Sequence, residues 1–264
     1  MNYLIKGNLS VWLCKECKDP LAGITINVYR NFRKIKPVQV SEKRSKDKFK
    51  IISGRELLRM NKLGEGNTDA AGNFSIELSP EYQGGIVELT VRCDTVPGLN
   101  FKDEQWQPVE FTLATFDPAW SPGNDCFQAY IENTISCKFW CHVLSLFNVK
   151  VICGKIVSSQ NPSIPVAGAE ITAFNSKWIA NNTLGAAVTN SHGYFNIYCS
   201  GGYPAIHNSN QMNNPQLSEV SFDVKSWGVW YSLMKTYDSK NDANLPLSAL
   251  VFVIPFQRNH EAVA

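Results

Sequence analysis

Hydrophobic and polar residues alternate along most of this chain. Ile24, Ile26 and Val28 stand against Thr25, Asn27 and Tyr29, the period-two pattern of a strand with one buried face. The same rhythm runs through 85–92, 109–114, 149–157, 219–224, 229–234 and 249–256, so strands are predicted at each. Two stretches break it. Phe139, Trp140, Val143, Leu144 and Phe147 share one side of a helix predicted over 136–147. That face suits core packing, and with only Lys138 as a fixed cation opposite it does not suit a membrane surface. Ser53 and Glu56 have capping-box spacing ahead of Leu57, Leu58 and Met60, which predicts a second short helix over 54–62.

The chain also repeats itself. Pro20-Leu21-Ala22-Gly23-Ile24-Thr25-Ile26 is echoed by Pro165-Val166-Ala167-Gly168-Ala169-Glu170-Ile171, and Thr68-Asp69-Ala70-Ala71-Gly72-Asn73-Phe74 by Thr189-Asn190-Ser191-His192-Gly193-Tyr194-Phe195. Such self-similarity predicts two copies of one fold. The first halves of the copies lie 145 positions apart and the second halves 121, so the first copy holds a 24-residue insertion. In each copy an Asx residue stands three before a glycine between apolar strands, the chemistry of a tight turn needing φ > 0, and a β-hairpin is predicted there.

Pro-x-x-Gly followed by alternating apolar residues, then Thr-(Asp/Asn)-x-x-Gly-x-Phe-x-Ile, resembles the transthyretin-like, or carboxypeptidase-regulatory-like, β-sandwich. The resemblance covers the core of both halves. It implies an all-β protein of two tandem antiparallel transthyretin-like (prealbumin-like, Ig-like) β-sandwiches with a short connecting helix: 1–135 with its insertion at 31–62, the helix at 136–148, and 149–264. The second copy, where Phe139-Trp140-Cys141 runs into Val151-Ile152-Cys153-Gly154, is also similar to tandem modules of large bacterial proteins, some of which accompany phage-tail-like injection systems. Fold resemblance of this kind says little about function.

Length and composition fit the doubled fold, since 264 residues at 44% hydrophobic can bury two ordinary cores. No run approaches a membrane span and no signal peptide is legible, so a cytoplasmic protein, or a particle assembled in the cytoplasm, is expected, with an extracellular one possible. Eight cysteines, at 14, 17, 93, 126, 137, 141, 153 and 199, are expected to be reduced and structural. Cys14 and Cys17 have knuckle-like spacing that Cys137 and Cys141 do not complete convincingly into a zinc site. No cofactor and no metal is expected.

Charge singles out the insertion. Residues 31–62 carry eleven Lys or Arg against three acids, a local +8 in a chain whose total is +2. Arg33, Lys34, Lys36, Lys43, Arg44, Lys46, Lys48 and Lys50 therefore read as a contact arm for a protein partner with an acidic surface. With Phe32 and Phe49 as its stacking groups and no nucleic-acid motif, the arm disfavours nucleic acid.

Catalytic readings find little support. The hydroxyisourate-hydrolysing relatives of the transthyretin fold carry a Tyr-Arg-Gly-Ser ending, whereas this sequence reads Pro255-Phe256-Gln257-Arg258-Asn259-His260-Glu261. His142, His192, His207 and His260 share no ligand spacing, and His192 with Tyr194 and Tyr198 makes only a local cluster. Trp227, Trp230 and Tyr231 beside the polar loop 201–218 form a possible carbohydrate platform, although alternating aromatics also fill cores and interfaces. The expected function is a non-enzymatic adaptor or scaffold in a larger assembly, with a carbohydrate-binding module as the alternative and a transthyretin-like hydrolase as a remote one; the oligomeric state stays open.

Overall fold

The structure is a computed structural model that describes residues 2–13, 17–31, 49–97, 99, 106–175, 182–200, 218–226, 228–237 and 247–254. It is mostly strand, and the chain divides into two compact units. One is Met1–Trp12 with Lys18–Phe147; the other is Leu13–Cys17 with Asn148–Ala264.

The first unit runs through β1 (Asn2–Trp12), β2 (Lys18–Pro20), β3 (Thr25–Arg30), β4 (Lys50–Ile51), α1 (Gly54–Leu57), β5 (Asn61–Asn67), β6 (Asn73–Glu77), β7 (Val87–Cys93), β8 (Val109–Phe116), β9 (Ser121–Pro122), β10 (Cys126–Ile135) and α2 (Cys137–Leu146). One sheet orders as β4-β8-β7-β3-β5; the other as β2-β1-β10-β9, with β6 also on β1. Period-two alternation sends Ile26, Val28, Leu89, Val91 and Phe111 from the first sheet, and Ile5, Leu9, Phe74 and Ile76 from the second, into buried positions. Helix α2 is capped by Ser136, whose hydroxyl accepts from Phe139 N, and it buries Trp140, Val143 and Leu144 as its periodicity predicts.

The second unit comprises β11 (Val149–Ser158), β12 (Glu170–Asn175), β13 (Asn182–Val188), β14 (Tyr194–Ser200), β15 (Ser218–Ser226), β16 (Val229–Tyr237) and β17 (Leu247–Ile254). Its sheets order as β14-β11-β17 and β13-β12-β15-β16. Its core gathers Ile152, Ile156, Phe195, Ile197, Phe222, Phe252 and Ile254.

The pairings of one unit recur in the other. β1 takes β6 antiparallel and β10 parallel, as β11 takes β14 and β17. β3 lies between β5 and β7, as β12 lies between β13 and β15. Even a register irregularity recurs, after Val28 in β3 and after Ala173 in β12. The turns match atom for atom. Asp69 Oδ1 accepts from Ala71 N and Asn73 N at 2.9 and 2.8 Å, and Asn190 Oδ1 accepts from His192 N and Tyr194 N, both at 3.0 Å. Gly72 and Gly193 close these turns at φ 77° and 76°, the left-handed region that favours glycine.

Four expectations need correction. The sheets are not wholly antiparallel: β1–β10 and β11–β17 are parallel, which a long connection permits and a hairpin would not. The two predicted hairpins are turns between sheets, because β5 and β13 pair with β3 and β12 while β6 and β14 pair with β1 and β11. Helix α1 stops at Leu57 rather than 62, since the chain from Asn61 onward pairs with β3. The insertion also supplies a sheet strand, for Lys50 and Ile51 pair with Thr112 and Phe111 of β8. The rest of it, 32–48, lies outside the described residues.

Candidate functional site

Strands β3, β5, β7 and β8 turn polar side chains to the side of their sheet away from the core. Register brings them together: Thr25 faces Arg92, Asn27 faces Thr90, and Arg92 faces Glu110. This face is partly closed to water. Asn27 (2% exposed), Tyr29 (7%), Thr90 (0%) and Glu110 (5%) are all buried, and burial of an acid demands donors. They are supplied by neighbouring strands. Glu110 Oε1 accepts from Asn27 Nδ2 and Tyr29 Oη, each at 3.1 Å, and from Thr90 Oγ1. Burial first, then the charge of Glu110 and the hydrogen bond to it, raises the Tyr29 phenol well above its ordinary range. The Asn27 amide must turn its nitrogen to the carboxylate, which leaves Asn27 Oδ1 buried without a hydrogen-bond partner.

Beside this clasp lies an open depression of about 470 Å³, lined by Thr25, Asn27, Lys62, Glu65, Asn67, Arg92 and Asp94. Its cations are already engaged. Arg92 Nη2 lies 2.9 Å from Asp94 Oδ1, and Lys62 pairs with Glu65. Thr25 Oγ1 donates to Asn67 Oδ1 at 2.9 Å. A second carboxylate, Glu88, accepts from Asn31 Nδ2 and Thr112 Oγ1, both at 3.0 Å. The assembly can bind by polar contact, and it stiffens the sheet by linking four strands. Alternation marks Asn27 and Tyr29 as facing away from the core; their burial against Glu110 follows only from strand order, which the sequence pattern does not carry.

Of the proposed basic arm, Arg33, Lys34, Lys36, Lys43, Arg44, Lys46 and Lys48 lie outside the described residues. Lys50 is exposed and makes a surface ion pair. Its Nζ lies 2.6 Å from Glu56 Oε1, next to the box in which Ser53 N and Ser53 Oγ each donate to Glu56 Oε2 at 3.0 Å. Lys50 foremost, then the Ser53 amide and hydroxyl, holds the Glu56 carboxyl down at about 2.

Trp227 also lies outside the described residues. Trp230 and Tyr231 do not make one platform, because successive strand residues point to opposite faces. Trp230 is exposed under Lys225 Nζ, 5.6 Å from its ring, whereas Tyr231 packs against the core of the second unit. Tyr194 lies under Lys155 at 5.0 Å, and His192 uses its backbone N–H in the Asn190 turn.

Among the described residues no three His, Cys, Asp or Glu gather as a metal site. Cys17 is buried within the second unit, its Sγ 3.9 Å from Asn196 Oδ1, and Cys153 Sγ contacts Leu13 O at 3.2 Å. Cys137 and Cys141 stand one turn apart on α2, half-buried, with their thiols hydrogen-bonded. No described helix is long and apolar enough to cross a membrane.

No protein-family profile matches this chain, and no curated protein matches it. Among solved structures, it overlaps the TIE protein of Bacillus anthracis at 8% identity and a TM-score of 0.28, over 98% of this chain but 35% of that one. The SpaE basal pilin of Lactobacillus rhamnosus GG overlaps at 14% identity and a TM-score of 0.31, over 98% of this chain and 93% of that one. The shaft pilin SpaA of the same organism does so at 10% and 0.27, over 97% and 98%. At these TM-scores the likeness carries no argument about function.

Proposed function

We infer that this chain is a non-enzymatic structural protein, an adaptor or scaffold in a larger assembly, built from two transthyretin-like β-sandwiches. The reading is carried by the clasp on Glu110. The buried acid is occupied by three donors from its own sheet, and its phenol partner Tyr29 is held protonated. Side chains so engaged brace a sheet rather than exchange protons with a substrate. Surface contacts then carry the function, with the basic insertion steering the chain toward an acidic neighbour. A phage-tail-like, virion or injection-system particle is the kind of assembly that the sequence resemblance suggests.

The test is purification of the native protein from its source under gentle lysis, with mass spectrometry and negative-stain microscopy. Recovery in a larger particle supports the scaffold. Recovery of the chain alone sinks it. Removing 41–48, which stops short of Phe49 and of the paired strand β4, should weaken recovery of the partner without lowering the melting temperature.

A further inference from the structure

The two units place equivalent residues in equivalent strands, and the outward positions of their last strands differ. Gly7 of β1 faces Ile131 of β10, and Gly154 of β11 faces Leu250 of β17. Counting on from these pairs, Glu132 and Thr134 of the first unit correspond to Val251 and Val253 of the second. Glu132 is exposed and takes Lys18 Nζ at 3.0 Å. Val251 and Val253 are also exposed, at 57% and 50%, while Leu250, Phe252 and Ile254 between them face the core. One fold thus accepts a charge and a hydroxyl where the second copy keeps two valines in water, so the fold does not require those valines.

Strand β17 is also an edge. Among the described residues it pairs only with β11; its counterpart β10 is met by β9 at Phe127 and Gln128 and carries the charge of Glu132 beyond them. The other edges are blunted. β2, β4 and β9 are two or three residues long; β5 carries Lys62 and Glu65, β6 carries Glu77, and β16 carries Lys235. β13 and β14 pass close to each other, so that a Cβ on Gly185 would lie 2.6 Å from Ile197 Cγ2. β17 offers eight residues, Leu247–Ile254, without a charge.

The geometry points to β17 as the docking edge for a second copy of this chain, joined antiparallel through the same strand about a two-fold axis. A second copy presents the same uncharged strand, so that β17 paired with its own copy sets no like charges opposite one another in any register. Backbone hydrogen bonds would join two three-stranded sheets into six, with Val251 and Val253 packing beside their counterparts. This rests on the scaffold reading only in that the chain acts through contacts, and it uses neither the basic insertion nor an acidic partner.

Sedimentation velocity of the full chain over a concentration series tests it, comparing the natural sequence with the double variant Val251→Glu, Val253→Thr. That variant installs the residues that the first unit already carries, and far-UV circular dichroism checks its fold. The natural chain is expected to form dimers of its 29.5 kDa subunit, and the variant to raise the dissociation constant by about tenfold or more. Hydrogen exchange provides a reading free of mutation, with amide protection in 247–254 rising with concentration. A natural chain that stays monomeric, or a dimer that survives the double substitution, overturns the proposal. Neither result touches recovery of a different partner from the native source, so failure here and failure of the scaffold reading are distinguishable.

Discussion

The ring of Phe74 closes on the backbone of Gly7, so that a Cβ at Gly7 would stand 2.5 Å from Phe74 Cζ and 2.2 Å from Ile131 O. The second unit repeats the contact, with Gly154 against Phe195 Cζ at 2.7 Å and Leu250 O at 2.5 Å. In each unit the first strand needs a glycine here so that an aromatic ring can cover it and the parallel last strand can approach.

Gly7→Ala and Gly154→Ala should each destabilise the protein by about 1–3 kcal/mol, the cost of overpacking. The clash is with strand carbonyls as well as a ring, so rotamer changes cannot relieve it. Gly54→Ala meets nothing within 4 Å in α1 and should be neutral or stabilising by up to about 1 kcal/mol. Urea midpoints followed by circular dichroism separate the two classes.

The turns at Asp69 and Asn190 should differ in acid. The Asn73 amide foremost lowers the Asp69 carboxyl below its ordinary value. A depressed folded-state value means that its stabilisation is present above the unfolded-state value and is lost as pH falls through the folded one. Amide exchange at Ala71 and Asn73 should therefore quicken in acid, while exchange at His192 and Tyr194, held by an amide that does not titrate there, should lack this step. Asp69→Asn should abolish the difference; persistence of the acid step in that variant would contradict the assignment.

Tyr29→Phe removes one of the three donors to a buried carboxylate oxygen and should cost about 1–3 kcal/mol. It should also change the alkaline limb. The folded-state value of Tyr29 is raised above its ordinary 10.0, so its contribution is complete below 10.0 and is lost as pH rises beyond it. The natural protein should lose stability more steeply above that pH than the phenylalanine variant, as thermal melts across alkaline buffers would reveal.

Thiol labelling should follow burial. Burial pushes Cys93 and Cys199 up to about 12, and Cys17 and Cys153 are equally enclosed. Near pH 8 these four should label only on unfolding, whereas Cys126 and Cys137 should label in the native protein. Cys141 should lag because its hydrogen bond to Cys137, ahead of burial, raises it. Cys137→Ser should speed labelling of Cys141, read site by site by mass spectrometry.

Alternation and internal repetition made much of the strand content legible, along with the matched turns and the helix that buries Trp140. What they left out was pairing over distance. An Asx-to-glycine turn has the same local chemistry whether its flanking strands pair or part into separate sheets, so Asp69 and Asn190 revealed the bend but not the arch. Nothing near Asn2–Trp12 announces that its parallel neighbour begins at Cys126. Glu110, on the polar side of β8, reads as solvated until register brings Asn27, Tyr29 and Thr90 to it. Lys50 counts toward a basic arm by charge, and its surface pairing with Glu56 follows from the turn of the chain into α1, which charge counting does not carry.

The parallel pairing of the first and last strands has a mechanical side. Tension entering the first unit at Asn2 and leaving beyond Ile135 pulls β1 and β10 lengthwise in opposite directions, loading all ten register pairs from Asn2–Cys126 to Val11–Ile135 together. Strands arranged this way must slide before they separate, whereas an antiparallel pair pulled from neighbouring ends opens one bond at a time. The second unit, with six such pairs between β11 and β17, carries a shorter clamp of the same kind and should be the first of the two to yield.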